Sequence, residues 1–127
     1  MKKVISILIL LPLLGFSQLK KEVLFVGNSY TYVNDLPNLV KQIALSFGDT
    51  LVHESSTPGG YSFNAHSTNT QTLNKINQQQ WDYVVLQAQS QEPSLSPSYV
   101  NSNVLPAAQV LIDAIESNSL CTEPLFF

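Results

Sequence analysis

Hydrophobic and polar positions along the chain fall into blocks whose period switches between strand-like and helix-like. Glu22 to Val26 is a short apolar and β-branched run that predicts a strand. After a turn, Leu36, Leu39, Val40, Ile43, Ala44 and Phe47 recur at spacings of three and four, predicting a helix with one buried face. Asp35 is its expected N-cap, Pro37 falls in its first turn, and Gly48 is placed to stop it. Thr50 to Ser55 predicts a second strand. Ser62 to Gln80 is polar and weakly periodic, with Leu73 and Ile76 as its expected core contacts; helix is the preferred reading there.

Trp81 to Gln87, "WDYVVLQ", is an unbroken apolar run of the kind buried on both faces of a parallel sheet. Ser96 and Pro97 then open a helix whose stripe runs through Val100, Val104, Ala108, Leu111, Ile112 and Ile115. Pro106 is expected to kink or break it. "PLFF", Pro124 to Phe127, begins a fourth strand. The order β-α-β-α-β-α-β predicts an α/β domain with a parallel sheet and helices on both faces.

Residues 1–17 do not belong to that pattern. Lys2 and Lys3 precede an apolar stretch from Val4 to Phe16, and the small residues Gly15 and Ser17 sit at its end where a signal peptidase would read them, which is the layout of an export signal cleaved near Ser17. The stretch is too short to span a bilayer comfortably and no stop-transfer pattern follows, so no stable membrane insertion is expected after cleavage. The mature product is then periplasmic or extracellular, with residues 18–127 as one domain.

Charge and cysteine content narrow the function classes. The chain has a net charge of −3, and losing Lys2 and Lys3 takes it to about −5, so nucleic acid is not an expected partner. Cys121 is the single cysteine and cannot form an internal disulfide. With His53 and His66 as the only histidines, no zinc ligand set is visible, and no metal or other cofactor is expected. Nothing in the composition fixes the oligomeric state.

Open α/β sheets hold ligands outside the carboxyl ends of their strands, where this sequence has three polar clusters. They are "GNS" at Gly27 to Ser29, "TPGGYS" at Thr57 to Ser62 and "QAQSQEP" at Gln87 to Pro93, about thirty residues apart, one βα unit each. A serine on a tight strand-to-helix turn is exposed, and its own N–H can face an oxyanion formed by its attack on an ester. Gly59 or Gly60 can add a backbone donor, and Gln89 or Gln91 a side-chain amide. Tyr30, Tyr32 and Tyr61 are candidates for lining a pocket. Asn34, Glu92 and Asp82 read as turn, surface and strand-start residues, Asn34 doubling as a substrate contact because its loop borders Ser29.

These blocks resemble the SGNH or GDSL-type serine hydrolases, whose four blocks contribute Ser, Gly, Asn and His in chain order. "VLFVGNSYT" is similar to the first block, with Asn28 where many members have Asp, and implies Ser29 as nucleophile. "PGG" is similar to the second and implies Gly60 as an oxyanion donor, with Asn28, Gly59 and Asn34 on the substrate side. After "WDYVVLQ" the family's usual Gly-x-Asn-Asp is replaced, which implies Gln89, or else Gln91, in the role of the Asn. "GNSYTYVNDLP" with "WDYVVLQ" and the following "AQS" is similar to a secreted bacterial branch of the superfamily. The resemblance implies a three-layer, flavodoxin-like sheet and an exported esterase acting on a small-molecule or glycan ester, such as a carbohydrate, lipid or acetyl ester.

The family's Asp-x-x-His block is absent. His53 falls inside a strand and His66 just after the Gly-Gly turn, at the expected pocket edge. With "PLFF" stopping in mid-element, the expectation is the N-terminal part of such a domain, its C-terminal portion missing, inactive without its histidine. The competing expectation is a non-catalytic binding module for a glycan or other polar ligand.

Overall fold

Parallel pairing around one central strand organises the chain. The computed structural model describes residues 18–127, so the leader assigned to residues 1–17 lies outside the described residues. Strand β1 (Lys20–Val26) is followed by a single helical turn, α1 (Ser29–Tyr32), and helix α2 (Leu36–Ser46). Then come β2 (Thr50–Ser56), α3 (Phe63–Thr68), α4 (Thr70–Asn77) and β3 (Tyr83–Leu86). The chain closes with α5 (Pro97–Tyr99), α6 (Leu105–Asn118) and β4 (Glu123–Phe126). The sheet order is β2-β1-β3-β4, every pair parallel, in a three-layer α/β architecture of flavodoxin-like type.

Alternation along the strands divides the sheet into two unequal faces. Leu24, Val26, Val84 and Leu86 point toward α3, α4 and α6, where Phe63, Ile76, Trp81, Leu111 and Ile115 complete the main core. Val23, Phe25, Tyr83 and Val85 face the other way and line an open apolar groove of about 460 Å³, rimmed by Leu36 and Val40 of α2 and by Leu125 and Phe127.

That asymmetry overturns one expectation. The helix stripe was expected to be buried throughout, yet Leu39 is 51% and Phe47 81% exposed, and Ile43 is exposed as well. Only one row of α2, Leu36 and Val40, turns to the sheet, because this face is covered on the β2 side alone. For the same reason β3 is not buried on both faces: Val84 and Leu86 are buried, Tyr83 and Val85 half-buried.

The third strand is also shorter than the run from Trp81 to Gln87. Trp81 sits before it in the core, its Nε1–H donating to the Lys75 carbonyl at 3.0 Å. Asp82 accepts from the Glu22 N–H at 2.8 Å and pairs with Lys21 at 2.8 Å, closing the sheet at the strands' amino ends.

The polar region from Ser62 resolves into two helices. Ser62 Oγ caps α3 through the Ala65 N–H, and Asn69, in extended backbone, caps α4 through the Thr72 N–H at 2.9 Å. Ile76 is fully buried and Leu73 packs against the core. Asp35 holds the N-cap position of α2 with left-handed backbone (φ 49°) but makes no side-chain capping bond, so its expected role is only positional. Ser96 Oγ caps α5, and a π-helical turn over Val100–Val104 separates α5 from α6. Pro106 follows that turn at once; it has no N–H to donate and its ring crowds the preceding turn, so the ladder widens there instead of breaking.

No helix among the described residues is long and apolar enough to cross a membrane. Leu111, fully buried between α6 and the sheet, is expected to lose about 2–4 kcal/mol of stability as Leu111→Ala. Leu39→Ala on the open flank of α2 should cost about 0.5 kcal/mol or less, both read by urea unfolding.

Candidate functional site

The carboxyl ends of β1, β2 and β3 carry the three polar clusters, and a single buried amide ties them together. Asn28, 2% exposed, follows the end of β1 and holds the N-cap position of α1. Its Nδ2–H donates to the Tyr61 carbonyl at 2.9 Å and to the Ala88 carbonyl at 3.5 Å, while its Oδ1 accepts from the Tyr30 N–H at 3.1 Å. One side chain thus meets the second loop, the third loop and the first turn of α1. Asn28, expected on the substrate side, has its amide committed to the protein.

Gln87, the last residue of the apolar run and the first of the third polar cluster, completes the clamp. It is buried, and its Oε1 accepts from the Asn28 N–H and the Thr31 Oγ1–H, both at 3.0 Å; its Nε2–H donates to the Ala88 carbonyl. Space for that carbonyl oxygen exists because residue 27 is glycine. A Cβ there would lie 2.5 Å from Thr31 Oγ1 and 2.8 Å from Gln87 Oε1.

His66 is the second correction at the site. Expected at the pocket edge, it is 0% exposed, with Nε2 2.8 Å from the Gly27 carbonyl and Nδ1 2.9 Å from Thr72 Oγ1. A carbonyl only accepts, so Nε2 carries the proton and Nδ1 accepts from Thr72, whose oxygen lies 2.9 Å from Ser56 Oγ. The ring therefore links α3 and α4 to the ends of β1 and β2. Burial pushes its pKa below the ordinary 6.5, opposed by the bond to Gly27. Tyr61 packs edge-on against it, centroids 5.1 Å apart. His53 lies within β2 against Phe25, as a strand residue.

Ser29 is half-buried at the first position of α1 and lines a cavity of about 240 Å³ with Tyr30, Val33 and Asn34. Among the described residues, neither its Oγ nor its N–H has a hydrogen-bond partner. Gly60 needs its lack of a side chain for conformation, with φ 74° and open space around it, whereas Gly59 approaches Tyr32. Gly60 and Gln89 share the wall of a second cleft of about 330 Å³, with Gln91 and Glu92. Gln89 Oε1 accepts from the Gln91 N–H at 2.7 Å, and its own N–H donates to Glu92 Oε2 at 3.0 Å. Glu92, expected at the surface, is buried because it holds this loop. Tyr30 and Tyr32 are exposed.

Ser29 thus lies at the same end of the sheet as Gly60 and Gln89 but lines a separate cavity from theirs. Among the described residues, no imidazole or carboxylate is hydrogen-bonded to Ser29 Oγ, and no group of three or more His, Cys, Asp or Glu side chains could hold a metal ion. Comparisons with protein-family models, with curated proteins and with solved structures return no match for this chain.

Two substitutions test the clamp. Gly27→Ala should cost about 2 kcal/mol or more, since Thr31 and Gln87 must part to admit the methyl group. For His66, the folded pKa lies below the unfolded value, so the unfolded chain takes up the proton first; stability is complete above pH 6.5 and falls as the pH drops below it. His66→Gln keeps a donor for the Gly27 carbonyl without titrating, so its unfolding midpoint should change less between pH 7.5 and pH 5 than that of the parent chain.

Proposed function

We propose that this chain is the scaffold of an exported SGNH-type serine ester hydrolase, with Ser29 as nucleophile. The observation that carries this reading is the Asn28 clamp, which gathers three loops and leaves Ser29 unpaired beside them. Ser29 Oγ attacks the acyl carbon of an ester, and the carbonyl oxygen gains negative charge facing the N–H groups of Ser29 and Gly60 and the amide of Gln89. Collapse breaks the carbon–oxygen bond to the alcohol, whose oxygen takes up the Ser29 proton through solvent water; a second water then releases the acid from the acyl-enzyme and returns a proton to Ser29 Oγ. Gln91 remains the alternative to Gln89, since its side-chain amide has no hydrogen-bond partner among the described residues.

His66 is committed to Gly27 and Thr72, so the Ser29 proton has no imidazole acceptor among the described residues. Turnover by this chain is then limited to what oxyanion stabilisation and binding provide, roughly 1,000 to 10,000-fold over water. The same observation favours the second reading, a binding module that uses the site without catalysis.

A fluorophosphonate probe separates the two. Slow stoichiometric labelling that is lost in Ser29→Ala supports the nucleophile. Labelling that persists in that variant, or none at all in the parent chain, removes Ser29 from the role.

A further inference from the structure

We infer that the cleft beyond Gly60 and Gln89 is a subsite for a neutral sugar, the alcohol part of the ester. The inference rests on the reading of Gly60 and Gln89 as the rim of the acyl site. The cleft lies between the second loop, α3, the third loop and the π-helical turn, and encloses about 330 Å³.

Its lining is mostly polar and uncharged, with Glu92 as the one carboxylate. Asn64, Gln91 and Asn103 bring amides, Tyr99 an aromatic ring, and Leu95 is the one aliphatic side chain. The Asn64 and Gln91 side chains and the Tyr99 hydroxyl have no hydrogen-bond partner among the described residues, and Asn103 spends only its Nδ2–H, on the Tyr99 carbonyl at 3.2 Å. A primary amide offers both donors and an acceptor, the complement of a hydroxyl, which does the same; a row of them matches a polyol.

The alternatives fit less well. An acyl chain would strand these amides without water or partner, at a cost that one leucine does not offset. An anionic sugar would meet no cation in the lining and would face Glu92. A cationic one would have Glu92 as its single counter-charge, already accepting at Oε2 from the Gln89 N–H, and would match the remaining amides no better than a neutral sugar does. Tyr99 is 45% exposed, which leaves ring surface for the C–H face of a sugar ring.

Heteronuclear NMR titration of the whole chain tests this without requiring catalysis. Xylotetraose should bind with Kd on the order of 1 mM and shift Asn64, Gln91, Tyr99 and Asn103. Tyr99→Ala and Asn64→Ala, both exposed positions, should keep dispersed spectra and weaken binding at least about fivefold. Tetragalacturonate and decanoate should bind at least about tenfold more weakly. Equal binding of either, shifts confined to other surfaces, or no saturable shift in the parent chain would overturn the inference. Fluorophosphonate labelling of Ser29 in the same preparation reports separately on the esterase reading, so the failure of one is distinguishable from that of the other.

Discussion

Everything at the carboxyl ends of these strands depends on a carboxamide that is almost out of contact with solvent. A part-buried backbone carbonyl left without a hydrogen bond costs about 1–3 kcal/mol; Asn28 supplies the donor to Tyr61 and shares the Ala88 carbonyl with Gln87. The cost of leaving them unsatisfied ties the second and third loops to the first. Gln87 closes the ring from below and His66 from the side, so the Gly27 peptide is held at its N–H by Ser56 and at its carbonyl by the imidazole. Ser29 is presented at the edge of this rigid turn with its own groups unspent. Close packing around a glycine and full pairing of buried side-chain polar atoms define the device.

The architecture was legible because it is written in spacing. Strand, helix and strand recur at a βα interval, and turns rich in Gly, Asn and Gln mark the strand ends, which is enough to bring Ser29, Gly60 and Gln89 to one end of the sheet. What the sequence hid was burial. Leu39, Ile43 and Phe47 carry the same period as Leu36 and Val40, but periodicity reports which side of a helix is apolar and not whether anything covers it. Gln87 and Glu92 look like a strand terminus and a surface acid until their partners are known, because a buried polar residue is identified by what it bonds and not by its type. His66 follows a Gly-Gly turn and was expected at the pocket edge; its actual partners, Thr72 and the Gly27 carbonyl, lie on other elements.

The commitment of His66 to the core shapes the chemistry. An imidazole satisfied on both nitrogens and shielded from water makes a good strut, and it leaves the serine hydroxyl at its ordinary reactivity. The site is therefore strongest in the parts that hold a substrate and weakest in the part that moves a proton. Ser29 lines a small cavity with Tyr30, Val33 and Asn34, and a separate amide-lined cleft opens at Gly60 and Gln89. The two sheet faces show a parallel division: one carries the cooperative core, and the other presents an open apolar groove beside the edge strand β4.

The clamp itself is the claim on which the remainder stands, and hydrogen exchange of the Asn28 side-chain amide protons, followed by NMR, observes it without any substitution. Protection comparable to the backbone amides of the central strand β1 is expected, together with nuclear Overhauser contacts to Tyr61 and Ala88. Exchange as fast as that of the exposed Asn64 amide would contradict it, because the three loops would then lack the bond that gathers them.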